Sequence, residues 1–178
     1  MKSYDIQTLI PPQQLQQTIE RLAREIAADY EGQSLLLVCI LNGSFIFTAD
    51  LARELSRHNL EVEVDFMKVS SYADSESTGS VKMDFDMSRS ITGRNVLIVE
   101  DIIDTGRTLE HLLRLLRTRD PRRMALCCLL DKPSRRVNGL QADYVGEVID
   151  DLFVVGYGLD YNHRFRELPG IGIMNIEE

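Results

Sequence analysis

The stretch Val96-Leu97-Ile98-Val99-Glu100-Asp101-Ile102-Ile103-Asp104-Thr105-Gly106-Arg107-Thr108-Leu109 gathers three carboxylates, two hydroxyls, one guanidinium and one glycine within a strand and a turn. Glu100 and Asp101 are adjacent, and paired carboxylates can hold a sugar diol directly or through a hard divalent cation. From Asp104 to Thr108 the chain offers backbone N–H groups, a glycine able to take positive φ and two hydroxyls where a helix begins. That combination cradles a phosphate. Taken singly, an acidic pair at a strand end also describes solvated surface, and Thr-Gly-x-Thr also describes a hydroxyl-capped helix start. The combination in this order is what points to chemistry.

These groups need a rigid frame. The apolar run 96–99 reads as a central parallel strand shielded on both faces, with the acids at its carboxyl end, where open α/β sheets place their ligand crevices. Residues 107–118 carry Leu109, Leu112, Leu113 and Leu116 on one helical face, and Asp120-Pro121 ends the helix. Ser34–Leu41 is a second central strand, stopping at Asn42-Gly43, and 45–58 reads as a helix. Leu15, Ile19, Leu22 and Ile26, preceded by Pro11-Pro12, predict an amphipathic helix reaching Tyr30. From Leu60, the alternation of Val62, Val64 and Phe66 with Glu61, Glu63 and Asp65 predicts a strand whose acidic face is the wet one.

Residues 70–80 are polar and small and read as a long exposed loop, either a linker or a mobile functional loop. Flanking it, residues 69–87 read as an antiparallel hairpin. Residues 124–130 predict another apolar strand and 131–141 a polar loop. Short strands follow at 144–148 and 153–157 around the acidic turn Asp150-Asp151, and a last one at 171–176. The expected class is α/β: a single domain, 1–178, with a parallel-sheet core flanked by helices at about 31–157. A small hood lobe from the N- and C-terminal segments and a projecting hairpin with a flexible loop complete it.

Among the 178 residues, 28 acidic and 20 basic side chains give a net charge of −8, which disfavours binding to nucleic acid or an anionic membrane. Phosphorylated substrates would then depend on backbone amides and a cation. Cys39, Cys127 and Cys128 lie in apolar runs without metal-ligand spacing and read as reduced thiols. With no apolar leader and no run of about 20 apolar residues, the expectation is a cytoplasmic protein. No Walker A motif occurs, Gly156-Tyr157-Gly158 lacks the rest of a dinucleotide fingerprint, and His58, His111 and His163 share no spacing.

The block VLIVEDIIDTGRTL closely resembles the phosphoribosyl-pyrophosphate signature of the type I phosphoribosyltransferases. Leu41-Asn42-Gly43-Ser44, Ser70-Ser71-Tyr72, Leu130-Asp131-Lys132-Pro133 and the run Phe153 to Tyr161 extend the likeness to the bacterial hypoxanthine/guanine enzymes of that family. The resemblance implies transfer of a phosphoribosyl group from phosphoribosyl pyrophosphate to hypoxanthine or guanine, giving IMP or GMP, with Mg²⁺ as cofactor and a homo-oligomer, dimer or tetramer. It implies that Glu100 and Asp101 hold the ribose and metal, and that Asp104, Thr105, Gly106, Arg107 and Thr108 wrap the 5′-phosphate, with Asp104 also acting as the general acid/base. Leu41, Asn42 and Gly43, joined by the family's cis peptide between the first two, would meet pyrophosphate together with Arg166. Asp160 would ligate a second Mg²⁺.

For the base, the resemblance implies stacking on Phe153, contact of the purine edge with Val154 and Asp160, and donation from Lys132 to the 6-oxo group. Ser71 and Tyr72 would tip a lid. On pattern alone Phe153 reads as a core residue and Lys132 as a surface charge, and only the resemblance of the blocks reverses this. Two other readings stay open: a regulatory protein on the same scaffold that binds without turnover, and an enzyme for xanthine or a pyrimidine.

Overall fold

The computed structural model describes residues 4–71 and 81–175. Its elements are β1 (Asp5–Ile10), α1 (Pro12–Asp29), β2 (Ser34–Leu41), α2 (Phe45–Ser56), β3 (Glu61–Ser71), β4 (Val81–Phe85), β5 (Asn95–Ile103), α3 (Arg107–Arg117), β6 (Arg123–Asp131), β7 (Tyr144–Val148), β8 (Val154–Val155) and β9 (Ile171–Asn175), with a 3₁₀ turn at Pro133–Arg135. A six-stranded sheet runs β4-β3-β2-β5-β6-β7, and β1-β9-β8 form a separate three-stranded sheet. In the large sheet only β4 is antiparallel to its neighbour. The small antiparallel sheet joins both ends of the chain to β8 and is the hood.

Side chains alternate across the central strands and build a core on each face. Leu35 and Leu37 of β2 with Leu97 and Val99 of β5 pack under α1 and α2, which contribute Leu15, Ile19, Leu22, Phe47 and Leu51. Leu36, Val38, Val96 and Ile98 point the other way, onto Leu109, Leu112, Leu113 and Leu116 of α3. Covered on both sides, β2 and β5 have the continuous apolar character that parallel strands need.

Three expectations need correction. In β3 the alternation does not divide a dry apolar face from a wet acidic one: Val64 and Phe66 are 43% and 42% exposed, while Asp65 is buried. Asp65 can be buried because the hairpin return supplies it with partners, whereas Glu63 stays part-exposed among arginines. Asp65 accepts from the Ser88 amide and hydroxyl at 2.9 and 3.0 Å, and Glu63 meets Arg89 and Arg94 at 2.7 and 2.5 Å. The strand expected at 153–157 is only Val154–Val155, because Gly156, Tyr157 and Gly158 all turn to positive φ. The N-terminal β1 was not anticipated. It has one buried residue in six and forms by pairing with β9.

Candidate active site

Along the chain, β2 is followed by β3 on one side of it and then by β5 on the other, so the order of the sheet reverses between β2 and β5. Loops leaving the carboxyl ends of two such strands diverge and leave a crevice. Here they are the turn after Leu41 and the segment after Ile103, with Glu100 and Asp101 in the last residues of β5. Leu41, Asn42, Gly43, Glu100, Asp101, Asp104, Thr108, Lys132, Phe153, Val154, Asp160 and Arg166 line one cavity of about 420 Å³. An adjoining recess of about 150 Å³ reaches Thr105 and Gly106. Residues from loops, sheet and hood are therefore brought together around one hollow.

Two glycines shape this crevice. Gly106 sits at φ +78° immediately before α3, the left-handed conformation that lets the chain turn its first helical amides toward the recess. Gly43 lies against the acid pair, and a Cβ there would overlap the Asp101 carboxylate. The Leu41-Asn42 peptide is cis. Arg107 is exposed on the outer side of the first turn of α3 and lines neither hollow.

The floor of the cavity is electrostatically unusual. Glu100 Oε2 is shielded from solvent and has no hydrogen-bond partner among the described residues. Burial, reinforced by the neighbouring Asp101 charge, holds the Glu100 carboxyl well above the usual range. Burial likewise pushes Asp101 up to about 6, against the opposing hydrogen bond from the Ile102 amide at 2.7 Å. An orphaned carboxylate oxygen beside a second recessed acid fits a hard cation or a diol. Among the described residues no three such ligands converge, so a cation here would complete its shell with water and substrate oxygens, as Mg²⁺ commonly does.

These shifts have a sign. A carboxyl whose folded pKa is raised binds a proton more readily folded than unfolded, so its contribution to stability is present at low pH and is lost as pH rises through the folded value. For Asp101 the window runs from about 4 to about 6, and the amount is on the order of 2–3 kcal/mol. Metal-free protein is therefore expected to retain the Asp101 contribution at about pH 4 and to have lost it by about pH 7, with Asp101→Asn flattening that fall. A melting curve of the variant that falls with pH as steeply as that of the unmodified protein would contradict the assignment.

The remaining groups are held by long-range partners. Asp104 Oδ1 accepts from Arg135 Nε at 3.1 Å, and its backbone carbonyl accepts from Arg136 Nε at 3.0 Å. Arg136 also donates to the carbonyls of Leu140 and Ile103 at 2.5 and 3.3 Å and pairs with Asp131, so one guanidinium fixes the back of the turn that starts at Asp104. Lys132 is 7% exposed and its Nζ donates to the Leu152 carbonyl at 2.6 Å, which removes the surface-charge reading. Phe153 is 45% exposed beside the cavity and edge-on to Tyr161 at 5.7 Å, so it is not a core residue. Arg166 bonds the Gly158 carbonyl at 2.6 Å and pairs with Asp160 at 2.7 Å.

Of the expected lid, Ser71 ends β3 opposite Val81, and Tyr72 lies outside the described residues. Arg135, Arg136, Asp151 and Tyr161, which contact the cavity residues Asp104, Lys132 and Phe153, were not foreseen. The only signal for the arginines was their place just past an apolar strand.

A mostly parallel sheet whose switch-point crevice joins a recessed acid pair, a glycine-turned helix start and a hood is a frame for handling a phosphorylated sugar. The chain belongs to the phosphoribosyl transferase domain family, which it matches over residues 9–162. Within it, the chain is 45% identical to a hypoxanthine phosphoribosyltransferase of Escherichia coli (strain K12), covering 95% of each protein. It is 47% identical, over 97% of its length, to the bifunctional protein TilS/HprT of Listeria innocua, of which it spans only 26%. A crystal structure of a hypoxanthine-guanine phosphoribosyltransferase from Bacillus anthracis superposes with a TM-score of 0.91 at 42% identity, covering 98% of this chain and 100% of that one.

Proposed function

We propose that this protein transfers the 5-phosphoribosyl group of phosphoribosyl pyrophosphate to hypoxanthine or guanine, a purine-salvage reaction that yields IMP or GMP and pyrophosphate. The observation that carries it is the single cavity in which the phosphate turn and acid pair face Lys132, Phe153 and Val154. One wall suits a phosphorylated sugar and the other a flat polar-edged base. The names of the relatives at 45% and 42% identity agree with this reading.

In this reading the turn from Asp104 to Thr108 grips the 5′-phosphate with amides and hydroxyls. Glu100 and Asp101 hold the ribose hydroxyls and so fix the ring as its anomeric carbon gains positive charge, where oriented charge is worth most. Asn42 and Gly43 meet the leaving pyrophosphate with Arg166. Bound Mg²⁺ supplies charge neutralisation for that leaving group, and the residues that would hold it are Glu100 and Asp101 at the ribose and Asp160 on the pyrophosphate side. Phe153 stacks on the base, the Val154 backbone meets its edge, Lys132 donates to O6, and Asp104 manages the proton on N7 as N9 attacks.

The test is a panel of bases. With phosphoribosyl pyrophosphate and Mg²⁺, hypoxanthine and guanine should each yield nucleotide and pyrophosphate, whereas uracil and adenine should not. Product from uracil but from no purine would overturn the reading. Binding without turnover would favour a regulatory protein, against which the intact set Glu100, Asp101 and Asp104 argues.

We further place the protein in the cytosol, consistent with its three free buried thiols, and propose that it self-associates. Val64 and Phe66 lie on one face of β3, and Phe85, 52% exposed, continues that face because it neighbours Lys68 across the hairpin. Exposed apolar clusters of this kind mark contact surfaces. Phe66→Glu is expected to shift the protein toward monomer in analytical ultracentrifugation without lowering its helix content. An unchanged sedimentation coefficient would remove this face as the interface.

A further inference from the structure

At the rim of the cavity four charged side chains alternate in sign, and the reaction as described uses only the two at the ends. Lys132 Nζ lies 3.7 Å from one carboxylate oxygen of Asp151, whose other oxygen lies 3.6 Å from Arg135 Nη1. Arg135 then donates from Nε to Asp104 at 3.1 Å. The chain is built on a stiff support: Lys132 precedes the 3₁₀ turn and Arg135 ends it, the Arg135 N–H donating to the Lys132 carbonyl at 3.1 Å, and Pro133 fixes φ within it. A 6-oxopurine presents O6 and N7 side by side on one edge. These are the two atoms that Lys132 and Asp104 would meet.

We infer that Arg135, acting with Asp151, is a positioning residue that holds the Asp104 carboxylate and the Lys132 ammonium at the separation required by O6 and N7 of one bound purine. The inference rests on the proposed transferase function. The two links of Arg135 are half-exposed, and an isolated pair of that kind contributes little. What distinguishes this one is the guanidinium fork, which serves both carboxylates at once from fixed directions and which an ammonium cannot copy.

The experiment measures kcat and KM for hypoxanthine and phosphoribosyl pyrophosphate with Mg²⁺ in the full-length protein and in Arg135→Ala, Arg135→Lys, Asp151→Asn and the double variant Arg135→Ala/Asp151→Asn. Arg135→Ala should lower kcat by about five- to tenfold, with KM for phosphoribosyl pyrophosphate within about twofold. Arg135→Lys should recover only part of the loss. Because the two residues act through one network, the double variant should fall little below the worse single one. Two results would overturn the inference: kcat of Arg135→Ala within about twofold of an active unmodified protein, or losses that simply multiply in the double variant. Absence of turnover in the unmodified protein would instead overturn the functional reading, and this inference with it.

Discussion

Asp104→Asn is expected to lower kcat by about 10²- to 10⁴-fold, the range of a lost general acid/base, while affinity for phosphoribosyl pyrophosphate changes only a few-fold. The amide has the shape of the carboxyl but cannot take and return a proton. The turn itself should survive, because Arg136 holds it through the backbone carbonyls of Ile103 and Asp104 rather than through the Asp104 side chain. Thr105, Gly106 and Thr108 therefore keep their places around the phosphate. Steady-state kinetics beside calorimetric binding of phosphoribosyl pyrophosphate separates the two effects. A variant that turns over within about tenfold of the unmodified protein would strip Asp104 of its role.

The second large effect is discrimination between bases. An ammonium has three donors and no acceptor, so Lys132 satisfies a 6-oxo group but opposes the 6-amino group of adenine donor to donor. Its Nζ is buried against the Leu152 carbonyl and so cannot swing into solvent to escape the clash without breaking that bond. Sites that leave buried polar groups unpaired reject the wrong substrate by roughly 10⁴-fold or more. Hypoxanthine is therefore expected to exceed adenine in kcat/KM by about that factor, and Lys132→Ala should reduce turnover of hypoxanthine and guanine together and narrow the gap. Adenine used within about tenfold of hypoxanthine by the unmodified protein, a difference of only about 1.4 kcal/mol, would contradict this account of Lys132.

Local patterning made part of this molecule legible. The helical spacing of Leu15, Ile19, Leu22 and Ile26 and the leucines of α3 identify faces that are buried, and the runs in β2, β5 and β6 match strands covered on both sides. Each signal is local and repeated, so tertiary contacts reinforce it. Alternation failed in β3 because its meaning depends on partners far along the chain. Ser88, far along the chain, makes burial of Asp65 possible, and Val64 and Phe66 are left outside. β1 and β8 are short, and each forms by pairing with β9, a partner that no local window around either strand reveals.

The same division runs through the site. The acid pair, Gly106 and the hydroxyls are contiguous in sequence and could be read as one cradle. What prepares them is not contiguous: Arg135 and Arg136 reach Asp104 from about 30 positions away, and the raised pKa of Glu100 comes from burial that only the closed sheet creates. The alternatives left open for Lys132 and Phe153 could be decided only by burial, which is high for the lysine and low for the phenylalanine.

The most direct test of the central claim is to follow phosphoribosyl pyrophosphate and hypoxanthine with Mg²⁺ and this protein by phosphorus NMR. The account predicts that the substrate signals decay while the 5′-phosphate of IMP and free pyrophosphate appear in equal amounts, and that nothing is consumed without hypoxanthine. Intact phosphoribosyl pyrophosphate after prolonged incubation, or pyrophosphate released with ribose 5-phosphate in place of IMP, would contradict it.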